Sequence, residues 1–445
     1  MSKKITKTKE VKEEEKKVSS NYKLLNVELP KIKSNIFDNN FTIFTSTDID
    51  YPKFTYGFHH FIHANKKTME ITEQFKGKKK VYHVLNKFER YIDDYDGSIG
   101  EYANKYFELD KTPKILSRGF FKLWELLMMF DLIDVSTDNF VSVHLAEGPG
   151  SFIQATMFYR DMFSTKSKKD KYYAITLHSE DKTVPDIEKE FIKYYESEKP
   201  KRFTLHKTYP KSISDKSKDK DNGDLTNSKT INLFTNEVDK ADLVTADGGF
   251  EWTNENTQEQ ESFKLILSQI ITAFKVQKKG GNFVCKVFET FTKTSLKILS
   301  MISQLYSKIY LVKPFTSRAS NSEKYLVCLD FKYDDKNKVY NIINKKFDEL
   351  LEQFNDKNII DLVPDYIIDE ELEKTMIKIN VDIANEQVKN IGEIIRFIEE
   401  QNYYGDTYHK ARDEQISATK FWLNLFFPNK TKFKEAKKIC FNLLN

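Results

Sequence analysis

Four residues of this chain have the types and spacing to manage a proton at a hydroxyl group. Asp247 lies in T-A-D-G-G-F (245–250), Lys286 in N-F-V-C-K-V-F (282–288) and Glu323 in S-R-A-S-N-S-E-K-Y-L-V-C (317–328), each at the end of a predicted strand. Lys122 lies upstream in S-R-G-F-F-K-L-W-E (117–125). A free lysine, with a pKa near ~10.4, is protonated at neutral pH. A second cation nearby disfavours the charged form. Lys286 is therefore the candidate to contact and deprotonate a hydroxyl, with Lys122 lowering its pKa and Asp247 and Glu323 orienting the two amines. Taken singly, each residue has a plainer reading. A lysine inside V-C-K-V-F is also what a solvent-facing strand lysine looks like, and Glu323 reads as a turn residue. The joint pattern favours chemistry.

The elements that must position these residues follow a rhythm. Strands are expected over 140–146, 172–177, 241–246, 282–288, 309–312 and 324–331. Helices are expected over 116–130, 151–163, 258–277 and 294–306, the third stopped by Gly280-Gly281. Such alternation implies a parallel or mostly parallel sheet with helices on both faces. Ligands bind such a sheet beyond the carboxyl ends of its strands. The first of these strands ends in H-L-A-E-G-P-G-S-F (144–152), which places Glu147, Gly148, Pro149, Gly150, Ser151 and Phe152 at that edge. The cluster is neither the dinucleotide Gly-x-Gly-x-x-Gly nor a Walker loop. An acidic residue there suits a cationic or hydroxyl-rich ligand better than phosphate, and a structural tight turn is the alternative. Asp224, in N-G-D-L-T (222–226), has the place to accept from an adenine amino group, or simply forms an Asx turn.

The chain has 445 residues, 31% charged, with a formal charge of only +4, so any polyanion-binding surface must be local. The 23 Tyr and 35 Phe leave rings available for stacking beyond those a core needs. The three cysteines form no Cys-x-x-Cys pair, which fits a reduced compartment. The eight histidines show no ligand-like cluster, and no metal is expected. No apolar run reaches ~18 residues, so no membrane span is expected, and no signal-peptide core opens the chain. Residues 1–20 read as a disordered charged tail. Residues 21–110 read as an α+β extension, with a helix over 81–94. Residues 111–332 form the α/β unit. The remainder, 333–445, reads as a helical accessory domain outside the chemistry, with helices over 339–353, 368–379, 382–400 and 406–427.

Between roughly 114 and 331, these motifs resemble the mRNA cap ribose 2′-O-methyltransferases, the branch of the FtsJ/RrmJ-like fold that includes the Adrift-type enzymes. The resemblance rests on H-L-A-E-G-P-G-S-F, T-A-D-G-G-F, G-G-N-F-V-C-K-V-F and K-P-F-T-S-R-A-S-N-S-E-K-Y-L-V-C, in that order. It implies a Rossmann-like sheet that uses S-adenosyl-L-methionine without a metal. It implies a catalytic tetrad of Lys122, Asp247, Lys286 and Glu323. It also implies cofactor contacts from the Glu147–Phe152 turn and Asp224, and an acceptor-nucleotide contact from Asn321. Asp247 has the place to face the methyl donor as well. Read from residue type, the basic and aromatic run Lys313–Arg318 makes Arg318 a candidate RNA contact, and Phe250, just after Asp247, is another, with core packing the plainer role for the ring. The expected substrate is capped mRNA, methylated on a 5′-terminal ribose, with other capping enzymes as expected partners. Related enzymes acting on rRNA or tRNA, or a non-catalytic RNA-binding scaffold, are the alternatives. Lys-, Asn-, Ile- and Tyr-rich composition suggests an AT-rich genome, such as that of a large cytoplasmic DNA virus, and so a cytoplasmic location, with the nucleus as the alternative.

Overall fold

The computed structural model describes residues 22, 24–49, 56–110, 113–179, 181, 184–206, 222–249 and 255–444. The tail 1–20, most of the polar insertion 211–224, Phe250 and Trp252 lie outside the described residues. The extension supplies β1 (Leu25–Glu28), β2 (Ile43–Ser46), α1 (Tyr56–Lys67) and α2 (Ile99–Tyr106). Next come α3 (Gly119–Phe130), β3 (Val141–Leu145), α4 (Ser151–Phe163), β4 (Lys171–Ile175), α5 (Lys189–Glu196) and β5 (Phe203–Leu205). They are followed by α6 (Ser228–Glu237), β6 (Ala241–Ala246), α7 (Gln258–Val276), β7 (Gln277–Val287), α8 (Lys293–Leu305), β8 (Tyr306–Lys313) and β9 (Lys324–Phe331). The chain ends with α9 (Lys338–Glu352), β10 (Asn358–Leu362), α10 (Glu370–Glu399), α11 (Asp406–Phe426) and α12 (Phe433–Asn442). Among the described residues, no helix is long and apolar enough to cross a membrane.

Eight strands form one sheet in the order β1-β8-β9-β7-β6-β3-β4-β5. From β7 to β5 all neighbours are parallel. β9 runs antiparallel between β7 and β8, and β1 is antiparallel to β8. The sheet is therefore an α/β sheet with a mixed flank. Reversal of β9 has a direct consequence: the residue that begins it arrives at the same edge as the residues that end β6 and β7. Register fixes the level, with Lys286 opposite Tyr325 and Ala246 opposite Cys285.

Successive strand residues point to opposite faces, and both faces are buried. In β7, Phe283, Cys285 and Val287 join one core while Val284 joins the other. The first core draws on α7, α8, α9 and α10; the second draws on α3, α4, α11 and α12. The helices after residue 332 thus join the same two cores as the α/β unit. Tyr340, Phe347, Leu372 and Met376 complete the first core, and Trp422, Phe426, Phe433 and Cys440 complete the second. The α/β unit alone leaves apolar helix faces uncovered on each side of the sheet, so the C-terminal helices fold onto both.

Three local expectations change. The helix expected over 258–277 ends at Val276, and the strand expected from 282 begins at Gln277, so β7 passes through both Gly280 and Gly281. A Cβ at Gly281 would lie 2.9 Å from the carbonyls of Ala241 and Asp242, so glycine there permits the approach to β6. The helices expected over 368–379 and 382–400 are one helix of 30 residues. Its buried Asn380 is satisfied across the interface, donating to the Thr290 carbonyl at 2.8 Å and accepting from its hydroxyl at 2.9 Å. The segment 81–94 holds only a short 3-10 turn, Val81–Leu85.

Candidate active site

The strand order reverses at β3: β4 and β5 lie on one side, β6 and β7 on the other. A crevice opens at such a switch point, at the carboxyl edge. Glu147 follows β3 there, Asp247 follows β6, and Lys286 sits one residue before the end of β7. Glu323 directly precedes β9, and Lys122 projects from the first turn of α3.

The structure brings the four together as two linked ion pairs. Lys122 Nζ lies 2.6 Å from Glu323 Oε1, and Lys286 Nζ lies 3.2 Å from Asp247 Oδ1. Lys286 Nζ also donates to the Asp247 carbonyl at 2.8 Å. Side-chain exposure is 14% for Lys122, 15% for Glu323, 13% for Lys286 and 22% for Asp247, which leaves each head within reach of an entering group. Burial pushes the Glu323 carboxyl upward, but the Lys122 and Lys286 amines outweigh it and hold the group down at about 2. Burial likewise pulls Lys286 down, yet the Asp247 and Glu323 carboxylates outweigh it and leave the amine above its ordinary value. This corrects the expectation that Lys122 depresses Lys286. Lys122 is bound to Glu323, and the net field at Lys286 is anionic.

Around this quartet stand further residues, of which Tyr325 and Glu125 were not singled out in the sequence. The Tyr325 hydroxyl donates to Asp247 Oδ1 at 3.3 Å, and the Ser317 hydroxyl donates to Glu323 Oε1 at 3.0 Å. Lys313 Nζ donates to the Glu323 carbonyl at 2.9 Å and to Asn321 Oδ1 at 2.8 Å. Loss of hydration draws that amine down to about 7. Glu125, one turn after Lys122 on α3, is fully buried and anchors the loop before Glu323. It accepts from the backbone N–H groups of Phe315 (2.6 Å) and Thr316 (2.9 Å), from the Thr316 hydroxyl (2.7 Å) and from Trp422 Nε1 on α11 (3.0 Å). The i, i+3 spacing of Lys122 and Glu125 was the available signal.

In the Gly-rich turn, Glu147 Oε1 accepts from the N–H groups of Phe152 and Ile153, both at 2.8 Å, and so caps the start of α4. Its other oxygen is buried with no hydrogen-bond partner among the described residues. Burial raises this carboxyl well above its usual range, with Asp247 adding to the effect and Lys286 opposing it. A Cβ at Gly148 would fall 1.7 Å from the Pro185 carbonyl oxygen. Gly150 has φ +106, and its Cβ would meet Leu116 at 3.0 Å and Ile187 at 3.2 Å. These two glycines admit neighbouring polypeptide. Ser151 bonds to Ser117 at 2.6 Å, and Phe152 is buried in the second core. The unsatisfied Glu147 oxygen, close enough to Asp247 to feel its charge, is the feature that fits a cationic, hydroxyl-bearing cofactor.

Asp224 forms the turn foreseen as its alternative, with Oδ1 accepting from Thr226 N and Oγ1, both at 2.8 Å. Arg318 pairs with Glu89 at 2.8 Å, and Asn321 is exposed beside Lys313. Phe250 lies outside the described residues. The expectation of no histidine cluster is revised. His59 and His63, four apart on α1, place their Nε2 atoms 3.5 and 3.0 Å from Glu289 Oε2, with all three donor atoms within 4.8 Å of one another. Lys66 bonds the other Glu289 oxygen, so the carboxylate already has a cation beside it.

A mixed, largely parallel sheet with an acidic Gly-rich turn and a Lys-Asp-Lys-Glu quartet at its switch point is the arrangement expected for a Rossmann-like methyltransferase fold. Residues 115–331, just under half of the chain, match the sequence model of the FtsJ-like methyltransferase family. The chain is 36% identical over 189 residues to cap-specific mRNA (nucleoside-2'-O-)-methyltransferase 1 of Mus musculus, covering 40% of this chain and 22% of that protein. It is 27% identical over 312 residues to the Caenorhabditis elegans protein of the same name, covering 67% and 31%. Over 312 residues it is also 26% identical to an "inactive" cap-specific mRNA (nucleoside-2'-O-)-methyltransferase 1B of Caenorhabditis briggsae, covering 67% and 34%. In each case the match spans well under half of the relative's length. Among solved structures, a putative ribosomal RNA methyltransferase of Plasmodium falciparum aligns at TM-score 0.33 and 18% identity, over 49% of this chain and 99% of that one.

Proposed function

We propose that this chain transfers a methyl group from S-adenosyl-L-methionine to the ribose 2′-hydroxyl of a 5′-terminal nucleotide of capped mRNA. The observation that carries the proposal is the closed quartet Lys122–Glu323 and Lys286–Asp247 at the switch point. Support comes from relatives whose names specify this reaction. S-adenosyl-L-methionine, when bound, supplies a methyl already activated by its sulfonium; Glu147 and Asp247 would hold it.

The chain's residues then have separable tasks. A ribose hydroxyl is a poor nucleophile until its proton can leave. Lys286 Nζ is the group placed to take that proton, while Asp247 fixes the amine through both its carbonyl and its carboxylate. Lys122, held by Glu323, sets the second cation, and Tyr325 steadies Asp247. Since the surrounding carboxylates keep Lys286 protonated at rest, the base form grows as pH rises. Positioning alone can remove ~7–11 kcal/mol of a barrier, and general-base help adds ~10²–10⁴-fold.

The test is methylation of m7GpppN-capped against uncapped RNA, with product mapping. Transfer confined to the 2′-oxygen of a cap-proximal nucleotide supports the proposal. Equal transfer to uncapped rRNA or tRNA points to the related substrate class. A protein that binds RNA but transfers nothing is the scaffold that the "inactive" relative's name brings to mind.

A further inference from the structure

A second cavity, of about 400 Å³, lies beside the quartet and is walled by three parts of the chain far apart in sequence. The segment 79–93 supplies one wall, Arg118 and Arg318 a second, and α11 a third through Tyr408, Arg412 and Gln415. Its charge is lopsided. Lys79, Lys80, Arg90, Arg118, Arg318 and Arg412 face only Glu89 and Asp93, a surplus of four positive charges. That equals the formal charge of the whole chain, +4. The weak net charge therefore conceals a concentrated cationic pocket.

Two of its guanidinium groups keep an unmet donor. The Nε atoms of Arg90 and Arg412 are buried without a hydrogen-bond partner among the described residues. A buried donor is costly to leave unmade, and an anionic ligand is the kind of group that would satisfy it. Glu89 does not supply it, because it already holds both Arg118 and Arg318. The α11 wall is fixed in place: Gln415 donates to the carbonyls of His83 (3.0 Å) and Asn86 (2.8 Å), and Arg412 to that of Asp94 (3.0 Å). At the rim, Tyr91 is 62% exposed with the Arg90 guanidinium 4.9 Å from its ring centre, a surface on which a base can stack.

The cavity also adjoins the chemistry. Arg118 precedes Lys122 by one helical turn and donates to the Thr316 carbonyl. Arg318 belongs to the loop whose Ser317 bonds Glu323. We infer that this cavity holds the phosphate chain at the 5′ end of the acceptor RNA, and that Arg412 of α11 is one of its substrate-holding residues. The inference rests on the proposed function and deepens it, since it makes the C-terminal helices part of the substrate site. Phosphates of a cap bridge and phosphodiesters of the following nucleotides offer the same chemistry.

The test reads RNA binding without reference to turnover. Filter binding with the full-length protein compares m7G-capped, 5′-triphosphate and 5′-hydroxyl forms of one short RNA, for the wild type, Arg412→Glu and the surface pair Lys79→Glu/Lys80→Glu. Each charge-reversed protein should bind at least ~10-fold more weakly in low salt, and the slope of log affinity against log salt should fall by about 0.7–0.9 for every phosphate that is no longer neutralised. KM for RNA should rise while kcat and S-adenosyl-L-methionine affinity stay within about twofold. A larger drop in affinity for capped or triphosphate RNA than for 5′-hydroxyl RNA assigns the cavity to the terminal bridge; equal drops assign it to phosphodiesters. Thermal melting checks folding, and the exposed lysine pair keeps the test open if Arg412→Glu melts early. Unchanged affinity and salt slope in the folded variants overturn the inference, while methylation by the same proteins would leave the proposed function standing. Arginine-dependent binding without any methylation would leave the cavity standing and sink the function.

Discussion

At the residue scale, the quartet is an electrostatic device as much as a list of side chains. Lys286→Ala should lower methyl transfer at least ~100-fold, the floor of general-base catalysis, with S-adenosyl-L-methionine binding retained in calorimetry. Retention of more than a few per cent of activity removes Lys286 from the role. The pH dependence follows from its surroundings. Asp247 and Glu323 raise the folded pKa of Lys286 against the pull of burial, so the neutral form is scarce at pH 7 and kcat should climb on the alkaline side. Removing one of those negative charges lowers that pKa. Glu323→Gln should therefore move the alkaline limb of the kcat profile to lower pH, even as the maximum falls because Lys122 loses its partner. A limb that stays put, or moves upward, assigns the titration to another group.

Elements succeed or fail by how they deliver those residues. Glu125 ties α3, the loop before β9 and α11 with four donors on two carboxylate oxygens. An amide in its place presents an NH₂ where an acceptor is needed. Glu125→Gln should destabilise the protein by about 1–3 kcal/mol, the range for a buried donor left unsatisfied, read as a lower denaturation midpoint. An unchanged midpoint would show the loop is held elsewhere. The Gly-rich turn gives a second case. Gly150 sits at φ +106 with Leu116 and Ile187 against its Cβ position, so a β-branched residue is strained there whatever binds nearby. Gly150→Val should reduce soluble yield and melting temperature in the absence of any ligand. A variant that melts like the wild type and loses only cofactor affinity would restore the view that this glycine faces the cofactor.

For the whole molecule, the two cores decide which part of the chain is dispensable. Trp422 and Phe426 are buried against α3, and the Trp124 indole donates to the Phe426 carbonyl at 2.6 Å. Ending the chain near residue 332 exposes α3 and α7 together. Burying one large apolar side chain is worth about 1.5–3 kcal/mol, and several are stripped of cover at once, more than the 5–15 kcal/mol stability of a typical domain can absorb. The truncated protein should be insoluble or lack a cooperative unfolding transition in calorimetry. A soluble, cooperative fragment that binds S-adenosyl-L-methionine would show that the α/β unit stands alone.

The sequence by itself determined what depends on short range. The Asp, Lys and Glu motifs, the acidic Gly-rich turn and most strands and helices from 119 to 331 are legible there, because periodicity and turn residues act over a few positions. Helix Ser151–Phe163 and strands Ala241–Ala246 and Lys324–Phe331 appear within the expected bounds. Only the tertiary structure decided what depends on partners distant in sequence. Reversal of β9 carries Glu323 to the edge where Lys122 can bind it, and so turns the expected depression of Lys286 into an elevation. Gly148 and Gly150 are required by Pro185 and Leu116, which no local pattern reveals. The pairing of His59 and His63 with Glu289, and of Trp422 with Glu125, joins residues more than 200 positions apart. Such contacts are set by packing, in which each apolar face must find a cover; a single strand or helix does not encode which cover it will be.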